Sequence, residues 1–91
     1  MKSEVLSNAS ADWVQVGKVV TVYFGTITTM ADFSNLPIPY ERDRGVVSIP
    51  MRQASDGAVL FGYFGATRDG KAHLVCPTAS LCYGTLTYIT V

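Results

Sequence analysis

The run from Asp12 to Phe24, Asp-Trp-Val-Gln-Val-Gly-Lys-Val-Val-Thr-Val-Tyr-Phe, is the part of the chain that most narrows its possible folds. It reads as two β-strands folded back at Gly17-Lys18, where glycine in the first turn position supplies the positive φ of a tight hairpin. A two-residue turn sets Val16 opposite Val19, Val14 opposite Thr21 and Trp13 opposite Val22. Trp13, Val20, Val22 and Phe24 then share one face, and Val14, Val16, Val19 and Tyr23 the other. An antiparallel sheet in a small protein ordinarily wets one of its faces. A single layer of core cannot cover two. The face made by Val14, Val16, Val19 and Tyr23 is therefore expected to meet another copy of the chain.

Composition sharpens this expectation. Of the 91 residues, 48% are hydrophobic and 15% charged, where soluble domains carry about a quarter charged residues. A chain of this length makes one domain, near the lower limit at which its own core suffices. Seven basic and seven acidic side chains cancel, so electrostatics draws the chain neither to nucleic acid nor to an anionic membrane surface. No apolar run approaches the ~18 residues of a membrane span, and no membrane insertion is expected. Met1 to Leu6 lacks the apolar core of a signal peptide, so export by that route is not expected. Residues 1–11 read as a polar lead-in or linker, and residues 12–91 as the domain.

Almost all of that domain reads as strand. Val19 to Thr29 is rich in Val, Thr and aromatic residues and has no helical period. Its large apolar residues are even-numbered through Phe24, and the next, Ile27, is odd; this slip predicts a bulge or bend at Gly25. Val46 to Met51 is a short strand ended by Pro50, with a turn at Gln53 to Gly57. Ala58 to Thr67 follows. Asp69-Gly70 then fits a type I′ hairpin turn that returns as Ala72 to Cys76. In that register Thr67 faces Ala72, Ala66 faces His73 and Phe64 faces Val75, so His73 shares a face with Phe64. Tyr83 to Val91 closes the chain. Six or seven such strands predict an all-β fold, a small antiparallel β-sandwich with jelly-roll or Greek-key connections. The one long connection, Met30 to Gly45, holds Leu36-Pro37-Ile38-Pro39-Tyr40 and then Glu41-Arg42-Asp43-Arg44. Connections of this length are commonly functional or interfacial, although a crossover with solvated charges would look the same.

Little in the chain suggests catalysis. There is one histidine, and no nucleophile elbow, phosphate loop or metal-binding helix surrounds it. Asp32, Asp43, Asp56 and Asp69 all fall where Asp forms turns. His73 and Cys76 invite a zinc reading, but three soft donors without a paired C-x-x-C do not make a zinc site, and no metal or other cofactor is expected. Cys76 and Cys82 flank Pro-Thr-Ala-Ser-Leu and could reach bridging distance; without an export signal the reduced pair is favoured. Binding is better supported than turnover. Saccharides are held by aromatic faces together with directed polar groups, and Trp13, Tyr40, Arg42, Asp43, Arg68, Asp69 and His73 are the candidates. Each has a plainer role: Trp13 as core, Arg68 and Asp69 as turn formers, His73 as a half-exposed strand residue.

Trp13 to Val22 resembles the opening hairpin, W-x-x-x-G-x-V-V-T-V, of the C-terminal head domains of bacteriophage tail-fibre, tailspike and baseplate receptor-binding proteins. Leu36-Pro37, Tyr40 with Arg42, Asp69-Gly70 and the closing Thr87-Tyr88-Ile89 match later elements of that pattern, over about residues 12–91. The family loop often continues Tyr-Arg-Pro, where this chain has Tyr40-Glu41-Arg42-Asp43-Arg44. The resemblance implies a non-enzymatic, jelly-roll-like head, trimeric, at the tip of a virion appendage, joined to other tail components and assembled in the host cytoplasm. Such a head binds host cell-surface saccharide without cleaving it. Two other readings stay open: a trimerisation or capping module of a virion fibre or capsid decoration, and a carbohydrate-binding accessory module of a secreted bacterial enzyme. Exposed aromatics at loop tips favour the head and polar tips the capping module, while a Cys76–Cys82 bridge favours the third.

Overall fold

Val19–Ile27 (β3) alternates exposed and buried side chains from its first residue, and the rest of the sheet closes around the face it buries. The computed structural model describes residues 1–40 and 47–91. Around β3 stand Lys2–Val5 (β1), Ala9–Val16 (β2), Met30–Phe33 (β4), Val47–Gln53 (β5), Val59–Ala66 (β6), Ala72–Val75 (β7) and Cys82–Ile89 (β8). The chain is all-β, and its strands pair antiparallel in one sheet, in the order β1-β2-β3-β8-β5-β6-β7-β4, curled nearly into a barrel. The inside–outside alternation of the sequence suits a sandwich and a barrel alike; here hydrogen bonding runs unbroken through all eight strands. β5, β6 and β7 follow one another as neighbours and β8 returns beside β5, which is a Greek-key order.

The inner face carries Trp13, Val20, Val22, Phe24, Ile27, Phe33, Ile49, Met51, Phe64 and Leu74, all buried. Phe24 lies with its ring centroid 5.7 Å from those of both Phe33 and Phe64, and Phe64 lies 4.9 Å from Tyr88. These tilted aromatic contacts join strands from opposite walls and fill the barrel. The first hairpin has the expected register, with Val16 opposite Val19, Val14 opposite Thr21 and Trp13 opposite Val22. Gly17 has φ 60°, whereas Lys18 does not enter the positive region. The turn is thus of the type that places glycine only at its first central position. The parity slip is also real: pairing jumps from Ala11–Phe24 to Ser10–Thr26 and leaves Gly25 as a bulge.

Several elements differ from the sequence reading. Residues 2–5, expected within a lead-in, form β1, which pairs with β2 from Lys2–Trp13 to Val5–Ser10. Met30–Phe33, expected within a long connection, forms β4 and pairs with β7. β5 does not end at Pro50 but runs on to Gln53; Pro50 pairs with Phe61 on β6, and pairing with β8 begins only at Met51. The second hairpin is one residue out of the expected register: Ala66 faces Ala72, Gly65 faces His73 and Phe64 faces Leu74. A type I′ turn needs positive φ at both central residues, yet only Gly70 (φ 85°) has it. Instead Gly70 N–H donates to Thr67 O at 3.2 Å, and Thr67 N–H donates to Lys71 O at 2.9 Å. This is a type I turn followed by a glycine bulge. His73 is thereby moved off the face of Phe64 to the outside of the barrel. Arg42 and Asp43, in the charged run after Tyr40, lie outside the described residues.

Candidate functional site

The outer wall gathers side chains that are far apart in the sequence, because β8 is inserted between β3 and β5. Cross-strand pairing sets Tyr23 beside Thr85, and on the next outward row sets Tyr83 beside Arg52 and Arg52 beside Val59. One residue of β8, Gly84, separates the rows. Between them runs an open groove of about 400 Å³, walled by Tyr23, Arg52, Val59, Tyr83 and Thr85. The Gly25 bulge lies beside it. A Cβ on Gly25 would stand 3.4 Å from Cε2 of Tyr23, so the bulge puts a residue without a side chain next to that ring. Arg52 donates Nη1–H to Gly57 O at 3.2 Å, and among the described residues it has no ion-pair partner. Two tyrosines and an arginine lining one groove can offer ring faces to an apolar ligand surface and guanidinium donors to hydroxyl or carboxylate oxygens.

A second polar feature lies further round the wall. His73 on β7 and Asp32 on the edge strand β4 stand opposite one another, with His73 Nδ1 bonded to Asp32 Oδ1. Both side chains are partly exposed. The pair pins the edge strand and leaves His73 Nε2 for another partner.

The remaining sequence candidates are scattered. Trp13 is 3% exposed; its ring belongs to the core and presents no platform. Tyr40 is 65% exposed where the described part of the long connection ends, its N–H donating to Ile89 O at 2.8 Å. Arg68 and Asp69 are exposed on the β6–β7 turn. The Asp69 carboxylate accepts the Thr67 hydroxyl, and that bond, followed by one from its own backbone N–H, holds its pKa below the ordinary carboxylate value. Asp69 thus serves its own turn. Tyr23 was expected at an interface and proves to wall the groove as well, while Arg52 and Tyr83 gave no sequence signal, since their proximity depends on the non-local β5–β8 pairing.

Val14, Val16, Val19 and Tyr23 lie on the outer face, as the hairpin register requires, with exposures of 47%, 74%, 43% and 47%. Ile89, 51% exposed, pairs with Val19 and extends the apolar row to Val16–Val19–Ile89. Beneath it the hydroxyls of Thr21 and Thr87 meet at 3.1 Å. Cys76 and Cys82 are free and buried at the other end of the barrel. Among the described residues no three His, Cys, Asp or Glu side chains cluster to hold a metal ion, and no helix is long and apolar enough to cross a membrane. No known family model matches the chain, and a search of curated proteins finds no match.

Proposed function

We propose that this chain is the non-enzymatic receptor-binding head of a phage tail adhesion device and holds host cell-surface saccharide as a homotrimer. The observation that carries the reading is the Val16–Val19–Ile89 row, with Val14 beside it: apolar side chains in adjacent cross-strand positions on the outside of a sheet whose inside is already packed. Water is a poor neighbour for such a row, and a second and third copy of the same surface would cover it. The Greek-key order suits the jelly-roll-like heads that the Trp13–Val22 hairpin resembles. Saccharide would lie in the groove between Tyr23, Tyr83 and Arg52, at the margin of the buried face. The head would join other tail components and assemble in the host cytoplasm.

The capping-module reading has its own support. Described loop tips such as Gly17-Lys18, Ser55-Asp56 and Arg68-Asp69 are polar or small. Against it, Tyr40 is exposed on the connection. Light scattering at micromolar concentration, followed by binding to a panel of bacterial surface polysaccharides, separates the readings. A trimer that binds, and loses binding on Tyr83→Ala and Arg52→Gln, supports the head. A trimer binding nothing leaves the capping module, and a monodisperse monomer removes both.

A further inference from the structure

We propose that Cys76 and Cys82 form a disulfide site that can close only while the chain is folding and is sealed once the barrel is complete. The two residues bracket the connection from β7 to β8, and both thiols point at one acceptor: Cys76 Sγ lies 4.0 Å and Cys82 Sγ 3.5 Å from the carbonyl oxygen of Ser80. The five residues between them return the chain on itself, and two sulfurs that share one acceptor at 4.0 and 3.5 Å stand within reach of each other. β7 and β8 are not neighbours in the sheet, since β5 and β6 stand between them. A bridge would therefore tie together two strands that share no backbone ladder.

Burial decides when the bond can form. Cys76 is 5% exposed and Cys82 0%, so the folded barrel leaves little of either sulfur open to a reagent in solution. Burial, and then the neighbouring Cys76 thiol, push the Cys82 thiol up to about 11. Relative to an ordinary thiol near 9, this lowers the Cys82 thiolate fraction at neutral pH about a hundredfold, which slows the exchange step in which Cys82 is the attacking thiolate. In the unfolded chain neither restraint acts. The co-reactant is a low-molecular-weight disulfide such as oxidised glutathione. One cysteine thiolate attacks it, forming a mixed disulfide and releasing one glutathione thiolate; the second cysteine thiolate then displaces the other glutathione. Two protein thiols and one glutathione disulfide become one protein disulfide and two glutathione thiols, the protons passing from cysteine to glutathione. The state of the pair would then record the redox condition in which the chain folded, whatever the barrel binds.

The test uses the reduced full-length chain and one buffer of oxidised and reduced glutathione. One portion is kept native; the other is unfolded in urea and diluted into that buffer, or made in it by cell-free synthesis should dilution precipitate the chain. Soluble protein is then denatured, free thiols are blocked with N-ethylmaleimide, and intact mass is measured. The expected result is a refolded chain with no free thiol and no glutathione adduct, beside a native chain that keeps both thiols at least about tenfold longer. Two free thiols or a persistent glutathione adduct after folding would overturn the site. Equal oxidation rates in the two portions would overturn the sealing.

Discussion

The carboxylate of Glu4 accepts the backbone N–H of Ser34 at 2.9 Å, and through this contact the two free edges of the sheet meet. Its other oxygen accepts the N–H groups of Asn35 at 2.9 Å and Leu36 at 3.3 Å. β1 and β4 share no ladder; a side chain from one edge satisfies the backbone just past the other. Glu4→Ala is expected to cost about 1–2 kcal/mol, the range for a charged hydrogen-bond acceptor that is only part-buried. Glu4→Gln, with a neutral acceptor, should cost roughly half as much. Urea midpoints measure both, and amide exchange along Lys2–Val5 should quicken in the alanine variant. Wild-type exchange there would mean that β1 holds without this latch.

Val19 and Val22 lie on opposite faces of β3, one 43% and the other 0% exposed. Aspartate at Val22 puts an unpaired carboxylate into a closed apolar core, which costs several kcal/mol. Against a total stability of about 5–15 kcal/mol that is enough to unfold the protomer. Aspartate at Val19 stays hydrated in the single chain and opposes only the covering of the outer row. Val22→Asp should abolish the cooperative transition in circular dichroism. Val19→Asp should keep it and lower the mass seen by light scattering. If both variants unfold, the outer row belongs to the protomer's own stability and not to assembly.

What the sequence revealed followed from local constraints. A two-residue turn at Gly17-Lys18 leaves one register for Trp13 and Val22, and the odd-numbered Ile27 after even-numbered Phe24 can be reconciled only by an extra residue at Gly25. Asp69-Gly70 was ambiguous for an equally local reason. The same pair serves as both central residues of one turn or as the last two of another; the backbone bond from Gly70 N–H to Thr67 O marks the second, and Lys71 N–H to the Thr67 hydroxyl at 2.9 Å supports it. That one-residue difference sent His73 outward to Asp32. β1 and β4 are edge strands of four residues each, and both turn an apolar side chain outward, Val5 and Met30, so neither shows the polar–apolar alternation that marks a strand. The groove was hidden most deeply, because no local pattern states that β8 will enter between β3 and β5.

Gly62 and Gly17 separate two reasons for conserving space at a glycine. A Cβ on Gly62 would lie 2.5 Å from the carbonyl oxygen of Val75 and 2.7 Å from Met51 Sδ. The first of these is backbone of a paired strand and cannot give way without breaking the β6–β7 ladder. Gly17 has nothing within 4 Å of such a Cβ, and its cost comes from φ alone. Gly62→Ala is therefore expected to lose more than about 2 kcal/mol, a value reserved for core overpacking, whereas Gly17→Ala should lose about 1 kcal/mol. Urea denaturation compares them directly. Equal losses would mean that β6 has room to shift.

In the reduced protein, alkaline pH should weaken the fold before it disturbs the surface. Burial pushes Cys82 up to about 11 from an ordinary 9, and burial raises Tyr88 well above the ordinary phenol range. Tyr88 also donates its hydroxyl to Pro37 O at 2.6 Å, a bond that needs the proton. Both groups stay protonated in the folded chain at a pH where the unfolded chain has released them. The unfolded state then binds fewer protons, so stability falls as pH rises. Their contribution is full below about pH 9, the thiol's declines between about 9 and 11, and the phenol's declines above about 10, each by up to about 1.4 kcal/mol per pH unit. The urea midpoint of the reduced protein should be flat from pH 7 to 8.5 and drop steadily from 9 to 11. Cys82→Ala should remove the earlier part of that drop, and Tyr88→Phe the later part while costing about 1 kcal/mol at neutral pH for the lost bond to Pro37. A midpoint unchanged to pH 11 would show that water reaches both groups and that both ends of β8 are more loosely held than their packing indicates.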